Sequence, residues 1–440
     1  MGLNTQADTL VSKRSQRFLW ISVAGIFVIA LGLRIVLWPH QTNRETFDEV
    51  EVVQTAMSFA HRGYLGDPYV LPTGPSAHVT PAFPFLIGLA YRYAPDLPTG
   101  EAWKNAITMT IACLQFALLP LVARSAGLGI LPGVVAGLLG AGIPMVYLDC
   151  SGDFEAPLVG LALVAAIIVV LGLQRWRRQR VAALLTGLMW GLTALISAQL
   201  LLCGVIYELV LAVLSKSPIR LRASRLGLVA AGVILGVLPW TVRNYIQLGA
   251  PVISRDNAGL ELDISNSDES AVSFDENLKK GVLLRHHPHV SAAEAMRVRQ
   301  LGEIRYNQQK KAEAMRWIQT HPGRFAWLTA HRIAAFWFPP GLGTIRLYLR
   351  TIVLLGLIGL WLSRTLVKNS LLLFVVLLVA YPLPHYIVQA SERYRYPLDP
   401  VLLLFTGVTL VRLAVLLPLP RFTERLQPYL APSQYFRQTP

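Results

Sequence analysis

Long apolar runs broken by short basic connections set the rhythm of this chain. A bilayer core of roughly 30 Å demands about 20 consecutive apolar residues of a crossing helix. Ten stretches approach that length and predict spans: 19–38, 105–123, 129–148, 155–173, 181–196, 198–214, 226–243, 345–363, 370–388 and 398–418. The pair 181–196 and 198–214 is short and can be divided differently. The first run is too long for a cleaved signal peptide, and no small-residue cleavage site follows it. The expected fold is an all-α polytopic membrane protein with about ten transmembrane helices, external juxtamembrane helices and a mostly helical external segment.

Lysine and arginine gather at 13–17, 175–180, 216–225, 364–368 and 421–425. With the N-terminus in the cytoplasm, ten spans place every one of these clusters on the cytoplasmic side, as the positive-inside rule requires. Two long segments, 39–104 and 244–344, then lie on the opposite face, with the short connections 149–154 and 389–397. Function concentrates where irregular polar chain is held on a rigid scaffold, so the active face is expected to be external. The chain divides into an N-terminal transmembrane catalytic module, 1–243, an external segment, 244–344, and C-terminal transmembrane helices with a cytoplasmic tail, 345–440.

The external segments have their own periodicity. In NRETFDEVEVVQTAMSFAHRG, residues 43–63, Thr46 and Glu49 stand at capping-box spacing. Val50, Val53, Met57 and Ala60 form a stripe of helical period, and Gly63 supplies the stop. A short amphipathic helix lying in the interface plane is expected there. PAFPFLIGLAYRYAP, residues 81–95, is too short to span and is bounded by prolines; it predicts another interfacial or re-entrant helix. Ser291 and Glu294 form a second capping box, from which a helix is expected to run to about Thr320 and break at Pro322. Arg324 to Phe338 reads as an amphipathic return to the membrane. No internal repeat is evident, which weakens architectures built on inverted repeats.

Composition narrows the functional classes. The chain is 54% apolar and 15% charged, whereas soluble domains carry about 25% charged residues. The net charge of +15 is accounted for by the cytoplasmic clusters, so membrane lipids rather than nucleic acid are the expected partners. Cys113, Cys150 and Cys203 lie in or beside spans and show neither a disulfide framework nor zinc-ligand spacing.

Against this basic background Glu45, Asp48, Glu49, Glu51 and Asp67 crowd just outside the first span. Acids in a first helical turn complement the dipole by about 0.3–1 kcal/mol, which explains Glu49 as readily as a functional role does. For Asp48 function is favoured, because interfacial helices usually carry Lys and Arg on their polar face. Asp149, Asp153 and Glu155 cluster between the third and fourth spans, Arg243 closes the seventh, and Glu392, Arg393 and Arg395 precede the last. Ionisable groups at membrane depth default to a functional hypothesis; for the arginines the alternative is snorkelling to outer headgroups. Arginine suits phosphate because its planar fork donates two parallel hydrogen bonds. A sugar carried on a polyprenyl phosphate fits this arrangement. A carboxylate takes the proton of an acceptor hydroxyl attacking the anomeric carbon, the phosphate leaves, and the centre inverts.

Six pieces, in order, resemble the C-type membrane glycosyltransferases, related to glycosyltransferase family 39 and the bacterial aminoarabinose and lipopolysaccharide sugar transferases. They are FDEVEVVQTAMSFAHRGYL, GPSAHVTPAFPFLIGLAYR, GDFEAPLVGLALVAA, PWTVRNYIQLGAPVISRDNAGLEL, WIQTHPGRFAWLTAHRIAAFW and ERYRYPLDPVLLL. The resemblance implies Asp48 as catalytic base with Glu49 as its partner, and Asp153 or Glu155 as the acidic residue of the second loop. It implies His78 near donor or acceptor, and Arg243 and Arg395, with Arg393 beside them, at the lipid phosphate. Two departures stand out: the prolines after His78 are split in VTPAFP, and LISAQ lacks a charge that some members carry. No cofactor is expected; some relatives bind a metal nearby, but a lone His78 does not support one. The implied partners are a polyprenyl-phosphate-linked sugar and a lipid, glycan or protein acceptor, in a bacterial inner membrane with the active face periplasmic. A transporter or lipid flippase, and a lipid-linked glycan polymerase or ligase, are the competing readings; near-absence of charge within the spans argues against the first.

Overall fold

The computed structural model describes residues 2–37, 51–142, 154–367 and 370–416. Among them helices are the regular elements, with two isolated bridges, Gly66 to Pro75 and Ser273 to Ala390. Among the described residues six helices are long and apolar enough to cross a membrane: Arg14–Leu37, Leu97–Ala126, Ala156–Gln174, Ile219–Leu248, Thr344–Ser363 and Glu392–Leu416. The chain is a multi-pass helical membrane protein. At the other four expected places the helices are shorter: Leu131–Ala141, Gln179–Ala194, Ala198–Leu214 and Leu371–Ile387, the last broken at Pro382.

The main core is built where these helices meet. Leu163, Ile167, Trp190, Tyr207, Phe374, Leu404 and Phe405 are fully buried in one cluster. Two polar contacts lie inside it: Arg395 pairs with Asp399 at 2.9 Å, both side chains almost fully buried, and Gln115 donates to the Tyr396 hydroxyl. Breaking such a buried pair is costly because it strands a charge.

One close helix contact is made by glycines. Gly187 and Gly191 on Gln179–Ala194 face Gly232 and Gly236 on Ile219–Leu248. A Cβ at Gly187 would run into the Val229 carbonyl, and one at Gly232 into the Leu184 carbonyl. Small residues four apart let backbones approach within a bilayer, where burial of apolar surface alone gives helices little reason to associate.

Hydrogen bonds sort the helix ends into two groups. At one end Arg175 donates to the Ser125 carbonyl (2.6 Å), Ser370 to that of Ala126 (3.3 Å), and Arg225 pairs with Glu208 (2.8 Å). This end carries the basic clusters 175–180 and 216–225. At the other, Thr80 donates to the Ile196 carbonyl (3.0 Å), Ser254 to that of Ala194 (2.6 Å), and the Phe274 amide to that of Ala390 (2.9 Å).

That second end carries the two long segments. Helix Glu51–Arg62 packs on Ala82–Tyr93 through Val52, Ala56, Phe83 and Ile87. The buried face is one position off the expected stripe: Val52 and Ala56 are buried, whereas Val53, Met57 and Ala60 are only partly so. Gly63 does end the helix, with φ 82°. Asp67 serves the following turn, adopting a left-handed φ of 53° and accepting from the Thr73 and Gly74 amides at 2.9 and 2.7 Å. The helix expected over 291–320 is two, Ala292–Leu301 and Glu303–Thr320, because Gly302 takes φ 79°. Ser291 caps the first by accepting from the Glu294 amide, but the Glu294 carboxylate accepts from Tyr306 and Arg297 instead of closing a capping box. Pro322 opens the next helix, Pro322–Trp337, at the place where a break was expected. Tyr69 of the first segment joins Leu260, Ile264, Val298 and Tyr306 in a separate core, so the two long segments are packed together.

The glycine contact predicts that Gly187→Val lowers the thermal unfolding midpoint in detergent, because the obstructing atom is backbone. Overpacking of this kind costs about 1–3 kcal/mol. Gly227→Val, where a Cβ meets nothing within 4 Å, is expected to leave the midpoint within a degree or two of wild type.

Candidate functional site

At the end opposite the basic clusters, three side chains from distant parts of the chain meet. Glu51 opens the first described external helix, His78 lies on the loop before Pro81, and His287 follows the short helix Val282–His286. Glu51 Oε1 lies 3.3 Å from His78 Nε2 and 3.0 Å from His287 Nε2. The outer nitrogens are also held: the Tyr69 hydroxyl lies 3.0 Å from His78 Nδ1, and the His289 amide donates to His287 Nδ1 at 3.1 Å. With Nδ1 accepting, the neutral His287 ring carries its proton on Nε2, facing Glu51.

Burial would raise the Glu51 carboxyl, but the charge and hydrogen bonds of His287 and His78 outweigh it and hold the group well below the usual carboxylate range. Burial lowers His78 despite Glu51. For His287 the pull of Glu51 exceeds the effect of burial and raises the ring.

The loop bearing His78 is clamped from below. Glu303 accepts from the Ser76 hydroxyl and from the Ala77 amide (2.8 Å), while the Asp256 amide donates to the Ala77 carbonyl (2.7 Å). Arg243 donates to the carbonyls of Ser76 (2.9 Å) and Leu65 (2.5 Å) and lies over the Trp240 ring. Its guanidinium is thus spent on the loop backbone. Burial pushes Glu303 up to about 7, with the Ser76 and Ala77 hydrogen bonds opposing, and pushes Asp256 up to about 6.

Of the residues singled out in the sequence, Asp48, Glu49 and Asp153 lie outside the described residues. Glu155, His78 and Arg393 come to the same end of the molecule: Arg393 feels the charges of Glu155 and Glu51, and Glu155 lies 3.8 Å from Arg255. Arg395 is directed elsewhere, to Asp399 and the Leu349 carbonyl (2.9 Å). Sequence reasoning passed over Arg255 and His287, and noted Glu51 only as one of the acids outside the first span. The run RHHPHV, 285–290, was the available signal for His287, since three histidines in four positions are a metal- or proton-handling composition. The expectation of no metal rested on His78 being alone; in the fold it stands in a set of three metal-ligating side chains whose ligand atoms lie within 4.8 Å of one another.

No protein-family model matches the chain, and no curated protein does. Solved structures do. The apo oligosaccharyltransferase of Archaeoglobus fulgidus matches with a TM-score of 0.58 at 15% identity, over 92% of this chain and 52% of that one. The complex of that enzyme with Zn and sulfate gives 0.54 at 15% identity, over 93% and 50%. Oligosaccharyltransferase AglB from the same organism, with an inhibitory peptide and a dolichol-phosphate, gives 0.58 at 15%, over 93% and 52%. The chain shares the fold of these oligosaccharyltransferases. It spans about half their length, and at this identity the likeness is one of fold. The likeness agrees with the expected helical membrane architecture and resolves neither family 39 nor the aminoarabinose transferases.

The raised Glu303 carboxyl has a pH signature. A carboxyl raised in the folded state contributes stability that is full below its unfolded value of 4.5 and is lost as pH rises through about 7. Wild type is therefore expected to lose up to about 3 kcal/mol more than Glu303→Gln between pH 4.5 and pH 8. Thermal midpoints of both proteins across that range, in detergent, provide the check; parallel profiles would mean that Glu303 is ionised throughout.

Proposed function

We propose that this chain is a membrane glycosyltransferase that moves a sugar or glycan from a polyprenyl-phosphate donor to an acceptor hydroxyl, on the face opposite its basic loops. One observation carries the proposal: a cluster of carboxylates, histidines and arginines is assembled at that end of a fold shared with oligosaccharyltransferases. AglB has been solved with a dolichol-phosphate and an inhibitory peptide, which supports a lipid-phosphate donor and admits a peptide or protein acceptor here. In the proposed reaction the acceptor oxygen attacks the anomeric carbon. The bond from that carbon to the phosphate oxygen breaks, and the phosphate departs with the electron pair. The Asp48 carboxylate takes the hydroxyl proton, assisted by Glu49, and a single displacement inverts the centre. Glu155 and Asp153 belong to the same acidic face. Of Arg243, Arg393 and Arg395, Arg393 has the surroundings that best suit the donor phosphate, since the other two are engaged by backbone carbonyls or Asp399. The setting proposed is a bacterial inner membrane, N-terminus cytoplasmic, site periplasmic.

The fold relatives raise a divalent metal, one having been solved with Zn. Glu51 suits one as it stands, and His78 suits it with its proton on Nδ1, donated to the Tyr69 hydroxyl, which gives up its hydrogen bond to Glu51 and leaves Nε2 free. His287 suits it once its proton leaves Nε2, which gives up the bond from the His289 amide. Bound there, a metal would supply positive charge close to a departing phosphate. Glu51 would hold it as an ionised ligand, and the two histidines would orient it.

Purified protein supplied with lipid-linked sugars is expected to glycosylate an acceptor, followed by mass spectrometry, and Asp48→Asn is expected to lose about 10²–10⁴-fold in turnover; full turnover in that variant rejects the base assignment. Calorimetric titration with Zn²⁺ is expected to show one site that His78→Ala and Glu51→Ala abolish. Titrations identical in the wild type and both variants would remove the metal from this set.

A further inference from the structure

Beside the trio, three nitrogen-bearing groups are incompletely matched, and each is of a kind that attracts an anion. Arg255 Nε is buried without a hydrogen-bond partner, and the same guanidinium reaches Glu155 only at 3.8 Å. Arg393 is half-buried and forms no ion pair with a described carboxylate; its hydrogen bond runs to the Tyr394 hydroxyl at 3.4 Å. His385 is 7% exposed, and its Nε2 has no partner. The guanidinium groups of Arg255 and Arg393 both bear on His385 electrostatically.

The frame around them is rigid. The His385 ring stacks on Tyr394 at 4.6 Å and 14°, and on Phe336 at 6.1 Å and 16°. The Arg393 guanidinium lies 4.1 Å from the Phe154 ring centre, 5.1 Å from that of Tyr394 and 5.5 Å from that of Phe274. Aromatic faces hold a guanidinium plane without using its donors. Glu51, the other acid acting on Arg393, is already matched by His287. Two guanidinium groups therefore share Glu155, and buried donors left unmatched are costly in a finished fold.

We infer that Arg255, Arg393 and His385 form an anion site built for a phosphate group. Each arginine fork can engage two phosphate oxygens, and a neutral imidazole donates a further hydrogen bond from Nε2. Two residues, Arg255 and His385, thereby join a phosphate site of which sequence reasoning pointed only to Arg393. The inference rests on the glycosyltransferase reading only for the source of the anion, a polyprenyl phosphate headgroup rather than free phosphate.

The test is calorimetric binding to the full chain in detergent micelles, with farnesyl phosphate, inorganic phosphate and farnesol as probes. Farnesyl phosphate is expected to bind and farnesol not. His385→Phe keeps the aromatic stack and removes Nε2; it and Arg255→Gln are each expected to weaken binding about tenfold or more, with thermal midpoints near wild type. Exposed Arg285→Gln is expected to change nothing. Inorganic phosphate bound as tightly as farnesyl phosphate, and weakened by the same variants, supports the anion site and overturns its lipid source. Undiminished farnesyl phosphate binding in His385→Phe and Arg255→Gln, or no binding by the wild type, overturns the site. Activity separates the two readings: binding without sugar transfer leaves the anion site and removes the glycosyltransferase, while transfer without binding at these residues does the reverse.

Discussion

The close approach of helices Gln179–Ala194 and Ile219–Leu248, at Gly187, Gly191, Gly232 and Gly236, is the constraint on which the site's geometry depends. Gln179–Ala194 ends in a turn whose carbonyls are acceptors for the external chain. Ala194 accepts from Ser254, Leu195 from the Ala82 amide, and Ile196 from Thr80. Ser254 precedes Arg255, and Thr80 and Ala82 follow His78. The distance between two helix axes thus fixes where an arginine and a histidine stand. Glycine is required because the atoms on the opposite helix are backbone and cannot withdraw.

A second layer of control comes from buried charge. Glu303 and Arg243 both hold the loop 65–77, one accepting from it and one donating to it. Desolvation makes the Glu303 carboxyl reluctant to ionise, and Asp256 nearby adds to that reluctance. Glu51 has the reverse balance, since two histidine rings hydrogen-bond it and keep it ionised. Two carboxylates in one region therefore hold their protons at different pH, which is what allows one to latch a loop while the other presents charge. Lys310, buried between Asp263 at 2.9 Å and Glu294 at 3.2 Å, steadies the external helices behind them.

Much of the architecture was legible from the chain alone. Apolar runs of about 20 residues and the placement of Lys and Arg determined that the molecule is helical, crosses a membrane repeatedly and carries two long segments between particular spans, because a bilayer admits few alternatives. Gly63 as a stop, Ser291 as a cap and the prolines bounding 81–95 were readable for the same local reason: they act through their own backbone or the next turn. The break at Gly302 was hidden, because glycine inside a helical pattern is tolerated as often as it interrupts one.

The site was only half legible. Acidic residues outside the first span and arginines at span ends pointed to the end of the molecule where Glu51, His78 and His287 meet, since charge near a bilayer stands out against apolar sequence. Which of those charges face one another was decided by tertiary structure. Arg243 and Arg395 have the same sequence signature as Arg393, yet one is committed to loop carbonyls and another to Asp399. Glu51 and His287 are more than two hundred residues apart and meet only because the external segment folds against the first loop around Tyr69. Local pattern records burial and periodicity; a partner so distant in the chain leaves no periodic trace, and only the packed fold supplies it.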